Sequence, residues 1–418
     1  MKWKKSKIGN HCEITSSKRI FYSEYVDSGV PFYRSKEIIE IVQGQQISEP
    51  LYISEHKYNE IKKRFGVPVA GDMLLTSVGT IGVPYVIKPD DRFYFKDGNL
   101  TWFRNFDDYL LSKFLCYWIG SKEGYSVLNN TTIGSSQKAL TITSLNQIEC
   151  PMPKTDIQLK IVEILSVYDD LIENNQKQIK LLEEAAQRLY KEWFVDLRFP
   201  GHEQTRIVDG VPEGWKRKTV KDCLEYHING GWGKDLPTSN NRFKGEVIRG
   251  TDIQDIKGGR FSDIPIRYHS EKDIVKRILK KYDIIFELSN GNINSIGRTL
   301  LLNENILNIC GENTICASFC KLLRPINYIH SLILYWEIQD MQLSGRLIPF
   351  KKQGANGINN FAFEDFLQHS LLITEDKNII KMFDSFMQKI SVLQNQLFLL
   401  TEARDRLLPK LMNGEIEL

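Results

Sequence analysis

The chain has 418 residues, 42% apolar and 26% charged, with 55 Lys and Arg against 52 Asp and Glu for a net charge of +3. That length exceeds one ordinary hydrophobic core, and the composition is that of a globular protein rather than a disordered one. A nearly balanced charge neither demands nor forbids a nucleic-acid partner, because Lys and Arg can gather on one face. No run approaches the roughly 18 apolar residues of a membrane span, and no apolar segment follows the basic start Met1-Lys2-Trp3-Lys4-Lys5, so a cytoplasmic protein without a membrane partner is expected. The seven cysteines are odd in number and match no zinc spacing, so buried free thiols and no metal site are expected.

Along the chain, Phe32-Tyr33-Arg34-Ser35-Lys36-Glu37-Ile38 is the first landmark. Gly71-Asp72-Met73-Leu74-Leu75-Thr76 then reads as a buried strand, followed by a glycine-punctuated turn through Gly79-Thr80-Ile81-Gly82. Tyr109, Ser112 and Leu115 share the face of an expected amphipathic helix, and Gly134-Ser135-Ser136-Gln137-Lys138 reads as a polar loop. After Cys150-Pro151-Met152-Pro153 the pattern becomes helical. Ile161, Leu165, Tyr168, Ile172, Asn175, Ile179, Leu182, Ala186, Leu189 and Trp193 step by fours and threes, a coiled-coil seam with the single polar break Asn175. Pro200-Gly201 closes that region, and Val211-Pro212-Glu213-Gly214 marks a boundary.

The same landmarks then return in order. Trp3-Lys4 recurs as Trp215-Lys216, and the Arg34 segment as Val247-Ile248-Arg249-Gly250-Thr251-Asp252-Ile253. The strand recurs as Tyr282-Asp283-Ile284-Ile285-Phe286-Glu287, with a longer loop to Gly297. Tyr328, Ser331 and Leu334 repeat the helix pattern, and Gly354-Ala355-Asn356-Gly357 is the late polar loop. Leu181-Leu182-Glu183-Glu184-Ala185-Ala186-Gln187-Arg188-Leu189 returns as Leu399-Leu400-Thr401-Glu402-Ala403-Arg404-Asp405-Arg406-Leu407, identical at six of nine positions with a shift of 218 residues. The second seam, Ile379, Phe383, Phe386, Ile390, Leu393, Leu397, Leu400, Arg404 and Leu407, keeps the frame of the first. Pro409 is expected to end or kink that helix before Leu411.

The fold class is therefore α+β: two tandem mixed α/β domains separated by two long helices that form an intramolecular antiparallel coiled coil, related by a pseudo-two-fold axis. The domain boundaries are placed at 1–153, 154–200, 201–373 and 374–418. The first helix would span about 50 Å at ~1.5 Å per residue. Parallel pairing would put both globular units at one end; antiparallel pairing would separate them. Separated readers suit a duplex whose major-groove sites recur on one face every ~34 Å. A heptad stripe taken alone is only core packing, and surface polar residues are usually only solvated.

Enzymatic chemistry is absent from the pattern. No phosphate loop occurs, Gly230-Gly231-Trp232-Gly233 lacks the spacing of a dinucleotide fingerprint, and Pro89-Asp90-Asp91 is followed by no acid-x-Lys. Groove readers would come from Arg, Lys, Asn, Gln, Ser and Thr on loops. In the first half these are Arg34, Ser77, Thr80, Gln137 and Lys138; in the second, Arg249, Asn290, Asn292, Arg298, Lys351, Lys352 and Asn356. Pairing of Arg34 with Glu37, and of Arg249 with Asp252, is the competing reading for those two.

Over essentially its whole length the chain resembles the DNA specificity (S) subunit of type I restriction-modification systems. Pro151-Met152-Pro153 with Gln158-Leu159-Lys160-Ile161-Val162-Glu163-Ile164-Leu165 is similar to the opening of that family's helical region, which Asp169-Asp170-Leu171-Ile172 and Leu189-Tyr190-Lys191-Glu192-Trp193-Phe194 continue. Leu407-Leu408-Pro409-Lys410-Leu411-Met412-Asn413-Gly414-Glu415-Ile416 is similar to its C-terminus, and the Gly71–Gly82 strand and turn to its target recognition domains. The second helix departs from the pattern: Leu371-Leu372-Ile373-Thr374-Glu375-Asp376 precedes it, without a proline-rich lead-in. The resemblance implies a non-catalytic subunit that binds double-stranded DNA at an asymmetric bipartite target, one half-site per domain. It implies as partners two modification subunits, which bind S-adenosylmethionine and methylate adenine, and restriction subunits that cleave; no cofactor is expected in this chain. A non-DNA scaffold, with a coiled coil spacing two ligand-binding heads, is the alternative that residue patterns leave open.

Overall fold

A computed structural model describes residues 3–44, 47–132, 138–261, 264–354 and 357–418. The chain divides into two compact units, one of residues 1–173 with 402–418 and one of residues 174–401. Two helices of 36 residues each, Thr155–Tyr190 and Lys377–Met412, are shared between them. No helix among the described residues is long and apolar enough to cross a membrane.

In the first unit an antiparallel sheet runs in the order Glu13–Thr15, Leu100–Arg104, Met73–Thr76, Pro84–Val86. Its central strands are covered on both faces, which is why Met73–Thr76 is a continuous apolar run rather than an alternating one. Helix Ser112–Gly120 closes one face with Phe114, Leu115, Trp118 and Ile119, all fully buried. Tyr109 lies outside that helix, contrary to the amphipathic pattern: the Asp107 carboxylate accepts the Tyr109 and Leu110 N–H groups (2.9 and 3.1 Å) and holds a turn there. A second sheet runs Tyr25–Val26, Tyr52–Ile53, Val30–Tyr33, Tyr94–Phe95, the last two strands parallel. Lys5–Lys7 pairs antiparallel with Glu149–Pro151, so the domain begins and ends on one ladder.

The second unit repeats this plan. Leu224–Asn229, Cys320–Pro325, Ile284–Glu287 and Thr299–Leu301 take the same order and antiparallel pairing. Helix Tyr328–Leu343 is buried nearly all round against this sheet. Phe243–Ile248 lies between Ile266–His269 and a parallel Ile315–Cys316, and Lys216–Thr219 pairs with Ser370–Ile373.

The long helices pack against each other inside each unit. In the second, Asn175 Nδ2 donates to Gln396 Oε1 at 3.2 Å while the Tyr190 and Phe383 rings lie 6.1 Å apart, so the chains run antiparallel. In the first, Arg404 meets Asp169 at 3.1 Å, and Leu411 packs in the cluster that holds Ile161 and Leu165. Among the seam positions, Ile161, Leu165, Asn175, Ile179, Ile379, Phe383, Ile390, Leu393 and Leu397 are buried. Tyr168, Ile172, Leu182, Leu189, Phe386, Leu400 and Leu407 are half-buried. The helix does not end at Pro409 but runs through it to Met412. Leu411 and Met412 are both buried, and at about 1.5–3 kcal/mol each their burial offsets the ~3 kcal/mol that a proline costs inside a helix.

Each helix is also anchored to its domain by polar groups. Gln158, fully buried, accepts from the Leu111 N–H at 3.0 Å and donates to the Tyr109 and Pro153 carbonyls at 2.7 and 3.0 Å. Tyr117 Oη donates to Asp169 at 2.5 Å. In the second unit Tyr190 Oη donates to Glu337, whose carboxylate also meets His369 (2.8 Å) and Arg346 (3.0 Å). A π-helical turn, Lys191–Val195, sets both Trp193 and Phe194 inward. All seven cysteines are free, and all but the partly exposed Cys116 are buried.

Phe383 sits within 6.4 Å of the rings of Tyr190, Trp193, Phe194 and Trp336. Phe383→Ala is expected to destabilise the second unit by about 3–5 kcal/mol, read as a lower urea midpoint; a midpoint shift under a quarter of that would contradict the packing. His330 gives a pH test. Burial and the adjacent Lys218 ammonium hold its pKa below the ordinary 6.5, and Lys218 Nζ at 3.1 Å from Nε2 requires a neutral, accepting ring nitrogen. A depressed folded pKa means that this stability is present above 6.5 and is lost as pH falls through the depressed value. Burial lowers His227 and His269 of the same unit likewise. Unfolding from about pH 7.5 to about pH 5.5 should therefore show falling stability, less steeply in His330→Gln.

Candidate nucleic-acid interface

The strand Met73–Thr76 ends where several of the expected readers of the first unit meet. The Ser77 N–H donates to the Asn99 carbonyl at 2.8 Å, the Ser77 carbonyl accepts from Leu140 N–H at 2.9 Å, and Val78 bridges Ala139. The Asn99 carbonyl also accepts from Ser35 Oγ at 3.1 Å. The turn carrying Thr80 is thus placed beside Lys138 on one side and the Arg34 segment on the other. Gly79 and Gly82, at φ +78° and +81°, shape that turn. Thr80 and Lys138 are exposed, with Lys138 Nζ 2.9 Å from Asn129 Oδ1. Ser77 is 1% exposed and its hydroxyl lies 2.6 Å from Thr101 Oγ1, so it is presented to the strand rather than to solvent. Gln137 lies outside the described residues.

Arg34 and Arg249 occupy matching places, each three residues before an acid in the first turn of a helix: Glu37 in Ser35–Val42 and Asp252 in Asp252–Lys257. The Arg34 guanidinium meets the fully buried Glu37 at 2.6 Å, and the same carboxylate accepts the Arg34 backbone N–H at 2.6 Å. Arg249 and Asp252 repeat both bonds at 2.6 and 2.7 Å. The acid closes the helix N-terminus and fixes the guanidinium, and the hydrogen bond to Glu37 raises the Arg34 pKa. Ion pairing and an exposed outer edge are compatible, since Arg34 and Arg249 remain 30% and 38% exposed.

In the second unit the strand ends in an acid, Glu287, 2% exposed, whose pKa burial pushes up. Asn290 Nδ2 donates to its Oε1 at 2.7 Å. Arg298 Nε lies 2.9 Å from Oε2, but its N–H is turned to the Ser295 carbonyl (3.1 Å), so that contact is charge on charge and Oε2 accepts no hydrogen bond. Gly250 lies against this carboxylate, where a Cβ would come within 2.2 Å of Oε1, which brings the Arg249 segment to the strand end. A small sheet of Ser289–Asn290, Asn359–Phe361 and Lys351–Lys352 gathers Asn290, Lys351 and Lys352. Asn292 closes the next turn by accepting the Asn294 N–H at 3.0 Å. Lys352 lies 3.5 Å from Asp365, and burial lowers the Lys351 pKa. Asn356 lies outside the described residues.

The structure adds residues that pattern reading passed over. Asn359 and Asn360 stand in the same small sheet, with Asn359 Nδ2 on the Gly291 carbonyl at 2.9 Å and Asn360 Oδ1 accepting from Ser289 Oγ at 2.7 Å. The only sequence signal was an Asn doublet in a polar stretch. Among the described residues no three His, Cys, Asp or Glu converge as a metal site would require.

Residues 1–184 match the family model described as type I restriction modification DNA specificity domain. The chain is 26% identical to the specificity subunit of the type I restriction enzyme MjaIX of Methanocaldococcus jannaschii, over 99% of this chain and 93% of that one. It is 23% identical to the HindI specificity subunit of Haemophilus influenzae, over 66% of this chain and 71% of the relative. The crystal structure of a type I restriction-modification system S subunit from M. genitalium is similar in fold, with a TM-score of 0.53 at 16% identity, covering 98% of this chain and 96% of that one.

Ser77→Ala removes a hydroxyl bonded inside the strand end. It should lower stability by about 1 kcal/mol and leave any nucleic-acid sequence preference intact; a changed preference would return Ser77 to the set of base readers.

Proposed function

We propose that this chain, a relative of the type I restriction-modification specificity subunits, is the non-catalytic subunit that selects an asymmetric, bipartite target on double-stranded DNA. One domain would read each half-site, and the complex would act in the cytoplasm. The observation that carries this reading is that the two units share one strand order but end the equivalent central strand differently. Thr76 leads into a short turn in the first; Glu287 leads into a longer loop and a three-stranded sheet that the described residues of the first unit do not form. Equal scaffolds with unequal loops are what reading two unlike half-sites requires.

The antiparallel helices would set the number of unspecified base pairs between the half-sites. Modification subunits, carrying S-adenosylmethionine, and restriction subunits would supply the methylation and cleavage. Base contacts would come from the strand-end loops described above, including Arg34, Thr80 and Lys138 in the first unit and Asn290, Arg298, Lys351 and Lys352 in the second.

Mapping methylated adenines in the source genome is expected to show a bipartite motif with a fixed gap, lost when this gene is deleted. Insertion of two helical turns into both long helices should lengthen the gap. Binding of the full chain to duplex DNA should weaken steeply with salt as counterions are released. A salt-independent affinity with no bipartite motif would favour a scaffold whose heads bind something other than DNA.

A further inference from the structure

Next to the Ser77 strand end, the first unit contains a cleft of about 590 Å3 to which the readers named so far contribute only Arg34. The turn from Lys96 to Asn99 lines it together with Arg19, Tyr22 and Tyr25. The backbone of that turn is pinned on both sides. The Lys96 N–H donates to the Tyr33 carbonyl at 2.8 Å, and the Asn99 carbonyl accepts from Ser77 N–H and Ser35 Oγ. Two β-sheets and the start of a helix therefore hold the turn, as a rigid support for whatever its side chains do.

Those side chains are unspent. Among the described residues the Lys96 ammonium and the Asn99 carboxamide have no hydrogen-bond or ion-pair partner, although both residues are half-buried. Both side chains can therefore take up a ligand without giving up an existing partner. The two neighbouring guanidinium groups, by contrast, are fixed: Arg19 by Asp97 at 2.9 Å and Arg34 by Glu37. The lining is also aromatic. Tyr22 is 87% exposed, with its ring edge-on to Tyr25 at 5.6 Å, and Tyr25 leans in turn on the buried Phe32 at 5.2 Å. Three cations, one acid, a free amide and a supported flat ring describe a pocket for the edge and face of a nucleobase next to its phosphate.

We propose that this cleft is a further base-reading site of the first domain, beside the strand-end loops, with Lys96 donating to guanine, Asn99 bonding adenine, and Tyr22 stacking on the adjoining base or sugar. The inference rests on the reading of the chain as a DNA specificity subunit, and it deepens that reading by naming specificity-determining residues. Because Lys96 and Asn99 belong to one tight turn, it requires a guanine and an adenine at neighbouring positions of one half-site.

The test uses the full chain and a duplex library randomised in both half-sites, with bound sequences counted. Lys96→Ala should cut the guanine preference at one position about tenfold or more, and Asn99→Ala the adenine preference beside it, while the other half-site stays as in the wild type. Tyr22→Ala should weaken binding about tenfold without reordering the preferred sequences. Lys96→Gln and Asn99→Asp retain side-chain size, so their loss of readout separates recognition from a folding defect in the alanine variants. Unchanged preferences, or an equal loss of binding across all sequences, would overturn the assignment, the latter making these groups phosphate contacts. A wild-type chain that enriches no bipartite sequence would overturn the underlying reading as well, whereas a bipartite wild type with unaltered variants overturns this inference alone.

Discussion

A single helix of 36 residues gains little from intrinsic propensity, and in water its stability comes from burying an apolar face. Here that face is the seam of each long helix, and within each unit the other long helix is what covers it. Ile161 and Leu165 meet the end of the second helix, Asn175 meets Gln396, and Ala186 and Tyr190 meet its earlier turns. Neither helix could hold its frame without the other, and neither domain has a core complete without them. Trp118 shares a cluster with Ile161 and Leu411, and Trp336 shares one with Tyr190 and Phe383. The seam is thus part of both domain cores, and the rigidity of each head depends on it.

Polar groups convert that packing into a defined attachment. Gln158 and Asp169 fasten the first helix to its domain, and the buried Glu337, held by Tyr190, His369 and Arg346, fastens the helix end to the second. Burial alone would raise the pKa of such a carboxylate, but its donors outweigh desolvation, and the Glu337 pKa lies below the ordinary range. Removing one partner would strand the others in a medium that cannot hydrate them, so these networks specify where each helix sits.

The two heads share a scaffold and differ at its working edge. The Arg–acid cap at Arg34 and Arg249 is the same device twice, and it holds a helix start beside the strand end in both. Beyond it the units diverge: a neutral Thr76 with a short turn and the Lys96–Asn99 cleft, against a buried Glu287 with Asn290, Arg298 and a small sheet. Duplication preserved what packs, and it left free to vary what faces a ligand.

Residue order by itself determined the duplication, the two heptad frames and the buried central strands, because periodic burial writes itself into a chain as periodic apolarity. Met73 to Thr76 and the Ile161 to Leu189 steps are legible for that reason, and so is the pairing of Arg34 with Glu37, a contact only three residues long. Tyr109 stands outside its helix, and the second helix continues past Pro409, because a local turn and the burial of Leu411 and Met412 override the pattern seen in isolation. Only the tertiary structure decided the antiparallel pairing within each unit, the meeting of Ser77 with Asn99 and Leu140, and the gathering of Asn290, Lys351 and Asn359 on one small sheet. Such contacts join residues far apart in the chain and depend on loop geometry. The polar side chains that make them obey no period, so nothing in their order announces which will face outward and which, like Ser77, will be spent within the fold.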